Sequence, residues 1–118
     1  MTPFGEKIRY LREKRGVSLK DMATTLEVSS AYLSALEHGH RGKPSAGLLQ
    51  QICDYFEIIW DEAEKIRALA DLSHPKVTVD TSGLSAAHTE LANRLAHDIR
   101  DLDSRTVRAL LDVLERKG

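Results

Sequence analysis

"SLKDMATTLEVSSAYLSALEHG", residues 18–39, contains two short helical patterns that are separated by a tight turn. Ser18 is suited to cap the first helix, and Asp21 three residues later completes a pair that is typical of a capping box. Ser29 is suited to cap the second helix, and Gly39 favours its end because glycine readily adopts the left-handed conformation. The stretch therefore predicts two short helices joined by a tight turn.

Apolar residues recur at helical spacing through most of the remaining chain. Phe4, Ile8 and Leu11 predict a first helix, which Gly16 ends. Beyond residues 18–39, the patterns predict four more helices. The first covers about 46–56, and the second runs from a capping-box-like pair, Asp61 and Glu64, to about Leu72. The third runs from Ser85 past Leu102, and the last begins at Asp103 or Ser104.

These elements together predict an all-α protein. We expect a five-helix domain over residues 1–72 and two C-terminal helices over residues 84–118. The intervening residues 73–83 contain a proline, an alternating Val77–Val79 stretch and a Ser-Gly break, which is typical of a linker with one short extended segment, a candidate edge strand.

The composition is that of an ordinary helical protein with a modest core, since 42% of the 118 residues are hydrophobic and 5% are aromatic. The single cysteine, Cys53, excludes an intrachain disulfide and fits a reducing compartment. No apolar run approaches the roughly 20 residues that span a bilayer, and the charged start lacks the apolar stretch of a signal peptide. We therefore expect a cytoplasmic protein without a membrane partner.

The charge is distributed unevenly along the chain, although the net charge is only −1. Residues 1–44 carry eight basic and five acidic side chains, a net +3, whereas the remaining residues carry a net −4. This asymmetry favours a basic binding face in the first part of the chain. Chance variation between two halves of a protein explains the same numbers, so the asymmetry alone decides nothing.

The paired short helices of residues 18–39 have the arrangement that places a second helix in the major groove of DNA. Leu33 and Leu36 are expected to bury the back of that helix. Candidate base-facing residues on its other side are Ser30, Ala31, Tyr32, Ser34 and Ala35. Candidate phosphate contacts come from Ser29, Lys20, His38, His40, Arg41 and Lys43.

The ordered set of apolar, small and capping residues over about residues 4–60 is similar to that of the lambda-repressor-like, or Xre-type, helix-turn-helix family. The resemblance implies a five-helix domain that binds operator DNA as a dimer, and a structural ion pair between Arg12 and Glu37. The matching residues are Ile8, Leu11, Arg12, Gly16, Val17, Ser18, Met22, Ala23, Leu26, Val28, Ser29, Leu33, Leu36, Glu37, Gly39, Pro44, Leu49, Ile52 and Phe56.

The chain departs from the family at positions that matter for reading a sequence. Leu19 stands where the family often has a phosphate-binding glutamine, and Leu19 cannot donate a hydrogen bond. Ala31 and Ala35 stand where family members commonly carry long polar side chains, and they can contact only a thymine methyl group. We therefore expect little direct readout, with affinity drawn from phosphates and DNA shape.

No catalytic or metal-binding constellation is recognised in the sequence. His38, His40 and Cys53 lack the spacing of a zinc site, and the two histidines fit a loop beside phosphate. No nucleophile lies in a pattern with a base and an orienting group. We therefore expect a protein that is not an enzyme and that needs no cofactor or metal.

The two C-terminal helices carry apolar stripes that cannot bury themselves in isolation. We expect them to form a homodimer, although folding back within the chain would also cover them. The expected dimer residues are Leu91, Leu95, Ile99, Leu102, Leu110 and Leu114.

The sequence thus predicts a DNA-binding transcriptional regulator that acts as a repressor. The alternative is a protein-interaction module that uses the same scaffold to bind a protein partner, as an antitoxin or an antirepressor does. Leu19, Ser30, Ala31 and Ala35 favour this alternative, while the basic N-terminal part favours DNA. A regulator that senses a small ligand through its C-terminal half is a third interpretation.

Overall fold

The computed structural model describes residues 1–116 and confirms the all-α class. Over these residues the chain forms seven α-helices, one 3-10 turn and no strand. It divides into two compact units, Met1–Val77 and a second unit that begins at Thr78. The helices are α1 (Pro3–Arg15), α2 (Leu19–Leu26), α3 (Ser30–His38), α4 (Ala46–Tyr55), α5 (Trp60–Asp71), α6 (Ala86–Asp98) and α7 (Ser104–Arg116).

The helix pair at the centre of the first unit forms as the sequence predicts. The Ser18 side chain accepts a hydrogen bond from the Asp21 amide at 3.0 Å, and Ser29 caps α3 by accepting from the Tyr32 amide at 3.0 Å. Between the helices, Glu27 adopts the left-handed conformation (φ 58°) and reverses the chain. Each cap satisfies an amide that the helix itself leaves unbonded, which fixes where α2 and α3 begin.

The core of the first unit lies between α1, α2, α3, α4 and α5. Helix α1 packs on α3 and α5, while α2 packs on α3 and α4. Cys53 is fully buried, and this burial raises the pKa of its thiol, as expected for a small core residue. The buried apolar residues are Phe4, Ile8, Met22, Ala23, Leu26, Leu33, Leu36, Leu48, Leu49, Ile52, Cys53, Phe56, Ala63, Ile66 and Ala70.

The crossing of α1 over α3 depends on Gly5. A Cβ atom at this position would lie 2.4 Å from the carbonyl oxygen of Glu37 and 2.7 Å from that of Leu36. Only a residue without a side chain therefore allows the two helices to approach so closely.

Ser73 joins the two ends of the first unit. Its hydroxyl accepts a hydrogen bond from the Phe4 amide at 2.9 Å and donates one to the Leu69 carbonyl at 2.6 Å. One buried hydroxyl thus satisfies a free amide at the start of α1 and a carbonyl at the end of α5. The first unit runs on to Val77.

The structure corrects the predicted start of α5. The helix begins at Trp60, and its N-cap residue Ile59 makes no side-chain cap, so the expected capping box of Asp61 and Glu64 is wrong. Trp60 has a φ of 54° and is 81% exposed. Asp61 and Glu64 have the spacing of a capping box, but the helix begins at Trp60, so both residues already lie within it.

The candidate strand in the linker is not confirmed among the described residues. The residues Val77–Val79 have no regular secondary structure. Alternating apolar and polar residues suit a strand, but a strand also needs a neighbour to share its backbone hydrogen bonds, and the described residues provide none.

The second unit contains α6, a 3-10 turn over Ile99–Asp101, and α7. The Ser85 side chain caps α6 as predicted, and Asp103 caps α7 by accepting from the Thr106 amide at 2.7 Å. This hydrogen bond lowers the pKa of Asp103, because it favours the charged carboxylate. The sequence predicts one helix with Leu91, Leu95, Ile99 and Leu102 along one side, but α6 ends at Asp98, so Ile99 and Leu102 do not continue its apolar stripe. Residues 117 and 118, which close the predicted segment 84–118, lie outside the described residues.

Replacing Gly5 with alanine should destabilise the protein by about 1–3 kcal/mol, because the new methyl group forces α1 away from α3. Gly47→Ala is the matched control, since a Cβ at Gly47 meets nothing within 4 Å. We expect this control to gain about 0.4–1 kcal/mol from reduced flexibility of the unfolded chain. Urea unfolding of both variants measures the difference, and equal stabilities would contradict the close helix crossing.

Candidate nucleic-acid interface

The candidate interface is built on α3, which has one buried and one outer side. Leu33, Leu36 and Glu37 are buried, whereas Ser30 and Ala31 are exposed. The helix thus presents its N-terminal residues outward, as a major-groove helix does.

An ion pair with α1 fixes α3 in place. Arg12 Nε lies 3.1 Å from Glu37 Oε1, and Arg12 Nη2 lies 3.4 Å from Glu37 Oε2. A third guanidinium nitrogen, Nη1, lies 3.3 Å from the carbonyl oxygen of Val17. The Glu37 side chain is only 3% exposed and that of Arg12 17%, so water screens the pair little. The expected Arg12–Glu37 pair is present and holds α1, α3 and the turn before α2 together.

The five predicted base-facing residues are not equally accessible. Ser30 and Ala31 are exposed, and Ser34 and Ala35 are partly exposed. Tyr32 is partly buried and packs against the core. These positions bring four small side chains together on the outer side of α3.

Polar groups at both ends of α3 are hydrogen-bonded to the helix itself. His38 Nδ1 lies 2.8 Å from the Ser34 carbonyl oxygen and 3.4 Å from the Ser34 hydroxyl. Ser29 uses its hydroxyl to cap the Tyr32 amide. His38 Nδ1 and the Ser29 hydroxyl, both in predicted phosphate ligands, therefore already have partners in this structure, whereas His38 Nε2 has none among the described residues.

The loop after α3 carries two of the predicted phosphate-binding cations. The Arg41 guanidinium lies 5.8 Å from the centre of the Tyr32 ring, which is within the range of a cation–π contact. Lys43 forms an ion pair with Asp71 at the end of α5, a partner that the sequence analysis missed. No local sequence signal links residues 28 positions apart, so only the fold reveals this pair.

Ion pairs engage four of the eight basic side chains of residues 1–44. Lys20 and His40 lie exposed near the helix pair. The basic side chains without an ion-pair partner among residues 1–116 are Lys7, Lys14, Lys20 and Arg41. The positive charge that is free to meet a polyanion is therefore smaller than the sequence count indicates.

The predicted dimer residues lie in the second unit, where no residue of α6 or α7 is buried. Leu91 and Leu95 are exposed on α6, and Leu110 and Leu114 are exposed on α7. Ile99 is exposed in the 3-10 turn, and Leu102 is partly buried after it. The four helical residues recur at spacings of four, so each pair lies on one side of its helix.

Residues 1–116 contain no group of three or more His, Cys, Asp and Glu side chains that could hold a metal ion. Nor does any helix in that range have the length and apolar character needed to cross a membrane.

Comparison with known proteins agrees with this geometry. A family model described as a helix-turn-helix domain matches residues 3–66. The HTH-type transcriptional repressor RghR of Bacillus subtilis is 34% identical over 61 residues, which are 52% of this chain and 45% of RghR. The HTH-type transcriptional regulator DdrOP3 of Deinococcus deserti is 43% identical over 53 residues, which are 45% of this chain and 40% of DdrOP3. The chain thus spans less than half the length of these two relatives.

A third relative matches more of the chain. An uncharacterized HTH-type transcriptional regulator of Mycobacterium tuberculosis is 32% identical over 98 residues, which are 83% of this chain and 67% of that protein. The capped helix pair and these matches define the protein class. The chain belongs to the Xre-like helix-turn-helix family of DNA-binding transcriptional regulators.

Glu37→Gln should destabilise the protein by about 3–5 kcal/mol, because it leaves the Arg12 charge largely buried without a counter-charge. The surface pair of Arg9 and Glu13 provides the control, since its side chains are 50% and 61% exposed. We expect Glu13→Gln to cost at most about 0.5 kcal/mol. Urea unfolding compares the two variants, and similar losses would contradict the structural role of the Arg12–Glu37 pair.

Proposed function

We propose that this protein is a transcriptional repressor that binds operator DNA as a homodimer, with α3 of each copy in the major groove. The observation that carries this proposal is the outer side of α3. Small residues are exposed on this side. The helix that carries them is held rigidly in place by its caps and by the ion pair. A groove-reading helix needs such a fixed orientation, because displacement of the helix misaligns its contacts with the bases.

Phosphate contacts orient the helix in this proposal. The amides of Ser30 and Ala31, the first two of α3, have no acceptor within the helix, so they can donate to a phosphate, as helix N-termini do. Arg41 and Lys43 follow α3 in the chain, and Lys20 lies on α2. Lys43 exchanges its Asp71 partner for a phosphate on binding, which costs little because both side chains are exposed to solvent.

Dimerisation would follow from the exposed leucines of α6 and α7. Leucines that recur every four residues on an exposed helix face favour association with another apolar surface. A second copy of the chain provides the same surface with two-fold symmetry. Two copies read half-sites about 34 Å apart, which supplies specificity that one helix with small side chains lacks.

DNA binding is tested by fluorescence anisotropy of the full chain on the DNA upstream of its coding region, with a scrambled duplex as reference. We expect tighter binding to the upstream duplex, and a linear fall of log K with log salt concentration. Arg41→Ala combined with Lys43→Ala should reduce the steepness of this fall by about 3.6 for the dimer, since each of the two copies loses two phosphate contacts that contribute about 0.9 each.

Lys65→Ala is the matched control for the loss of a positive charge. Lys65 is an exposed cation on α5 that pairs with Glu62. We expect its removal to leave the salt dependence unchanged. Weak binding to both duplexes, or none, would contradict the proposal and favour the protein-interaction module, whose partner a pull-down would then identify.

Leu110→Glu combined with Leu114→Glu should convert the dimer to a monomer, because the charges cannot be buried at an apolar interface. Arg105→Glu is the control, since helical spacing places residue 105 on the opposite side of α7. Sedimentation equilibrium measures the mass of each variant. If the wild type is instead a monomer, and the two leucine substitutions lower its melting temperature, then the chain itself covers the face of α7 that carries Leu110 and Leu114.

A further inference from the structure

The outer side of α3 offers few free hydrogen-bonding groups, which are the Ser30 hydroxyl and His38 Nε2. Among its polar groups, the Ser34 hydroxyl and the His38 ring lie 3.4 Å apart, and His38 also contacts the Ser34 carbonyl oxygen. The Ser29 hydroxyl caps the helix, and Tyr32 packs between the core and Arg41. Ser30 retains a free hydroxyl, but a hydroxyl both donates and accepts and so discriminates poorly between bases.

Bidentate reading of purines is excluded at these positions by residue type. Guanine is read by arginine or lysine, and adenine by asparagine or glutamine. The residues Ser30, Ala31, Ser34 and Ala35 include none of these. Besides the Ser30 hydroxyl and His38 Nε2, this face presents the methyl groups of its two alanines to a base pair.

Ala31 and Ala35 lie one helical turn apart, so their methyl groups face the same direction with their Cβ atoms about 5–6 Å apart. Ala31 is exposed and Ala35 is partly exposed. Thymine is the one base that presents a methyl group in the major groove, at C5. Successive bases along a strand are about 3.4 Å apart, so two alanine methyls can contact thymines one or two base steps apart.

We propose that the operator is recognised through thymine C5-methyl groups, which pack against the methyl groups of Ala31 and Ala35. This inference rests on the proposed insertion of α3 into the major groove. It assigns to the two alanines the discrimination that longer polar side chains provide elsewhere. Contact between methyl groups discriminates a T·A pair from a C·G pair, because cytosine has no C5-methyl group.

The test uses duplexes that the full wild-type chain selects from a random library. Each thymine of the selected site is replaced in turn by deoxyuridine, which removes the C5-methyl group and keeps base pairing. We expect two thymines in each half-site at which the replacement weakens binding about fourfold, since burial of one such group contributes about 0.8 kcal/mol. Replacement at flanking thymines should leave the affinity unchanged.

Protein variants assign each methyl contact. In Ala31→Gly one of the two deoxyuridine effects should disappear, and in Ala35→Gly the other. Ala46→Gly makes the same change near the start of α4, away from α3, and should retain both effects. The comparison within each variant is between two duplexes, so a general loss of protein stability does not imitate the result.

The outcomes separate this inference from the proposed function. Selection of a site whose affinity is unchanged by deoxyuridine at every thymine would overturn thymine recognition while the protein remains an operator binder. Deoxyuridine effects that persist in both alanine variants would also overturn it, since other groups would then contact the methyls. Failure to select or bind any duplex would overturn the proposed function and this inference with it.

Discussion

The Arg12–Glu37 ion pair is the constraint on which the orientation of α3 depends. It links α1 to the last turn of α3, and the same guanidinium contacts the Val17 carbonyl just before α2. Gly5 lets α1 approach the carbonyls at this end of α3 within a distance that no side chain would permit. Charge pairing and close backbone packing therefore act at one place, and together they set the direction in which the outer side of α3 points.

The positions of α2, α3 and their turn could be predicted because their signals are local. Ser18 and Ser29 each bond an amide three residues later, so a short stretch of sequence contains both partners. The Arg12–Glu37 pair was accessible only through resemblance to a family, since nothing near either residue points to the other. The same local reasoning was wrong at α5, where Asp61 and Glu64 have suitable spacing but the helix begins at Trp60.

Contacts between distant parts of the chain escaped prediction for a physical reason. Ser73 bonds Phe4, and Lys43 pairs with Asp71, but each pair is brought together only by the packing of five helices. At the candidate site, the sequence shows which residue types are present, but it does not show how exposed each side chain is. Tyr32 has the size of a base-contacting residue, yet it packs against the core, and the hydrogen bonds of His38 are visible only in three dimensions.

The hydroxyl of Ser73 has a consequence for how such a protein can be assembled from parts. Because this hydroxyl joins the start of α1 to the end of α5, the N-terminal and C-terminal ends of the first unit lie next to each other, and the unit can be treated as a cassette. A cassette with adjacent ends can be fused to a different tail without rearrangement of its interior, because the junction lies beyond the last packed residue. Exchange of tails would then leave the packing of α2 and α3 unchanged, because it lies wholly within the first unit.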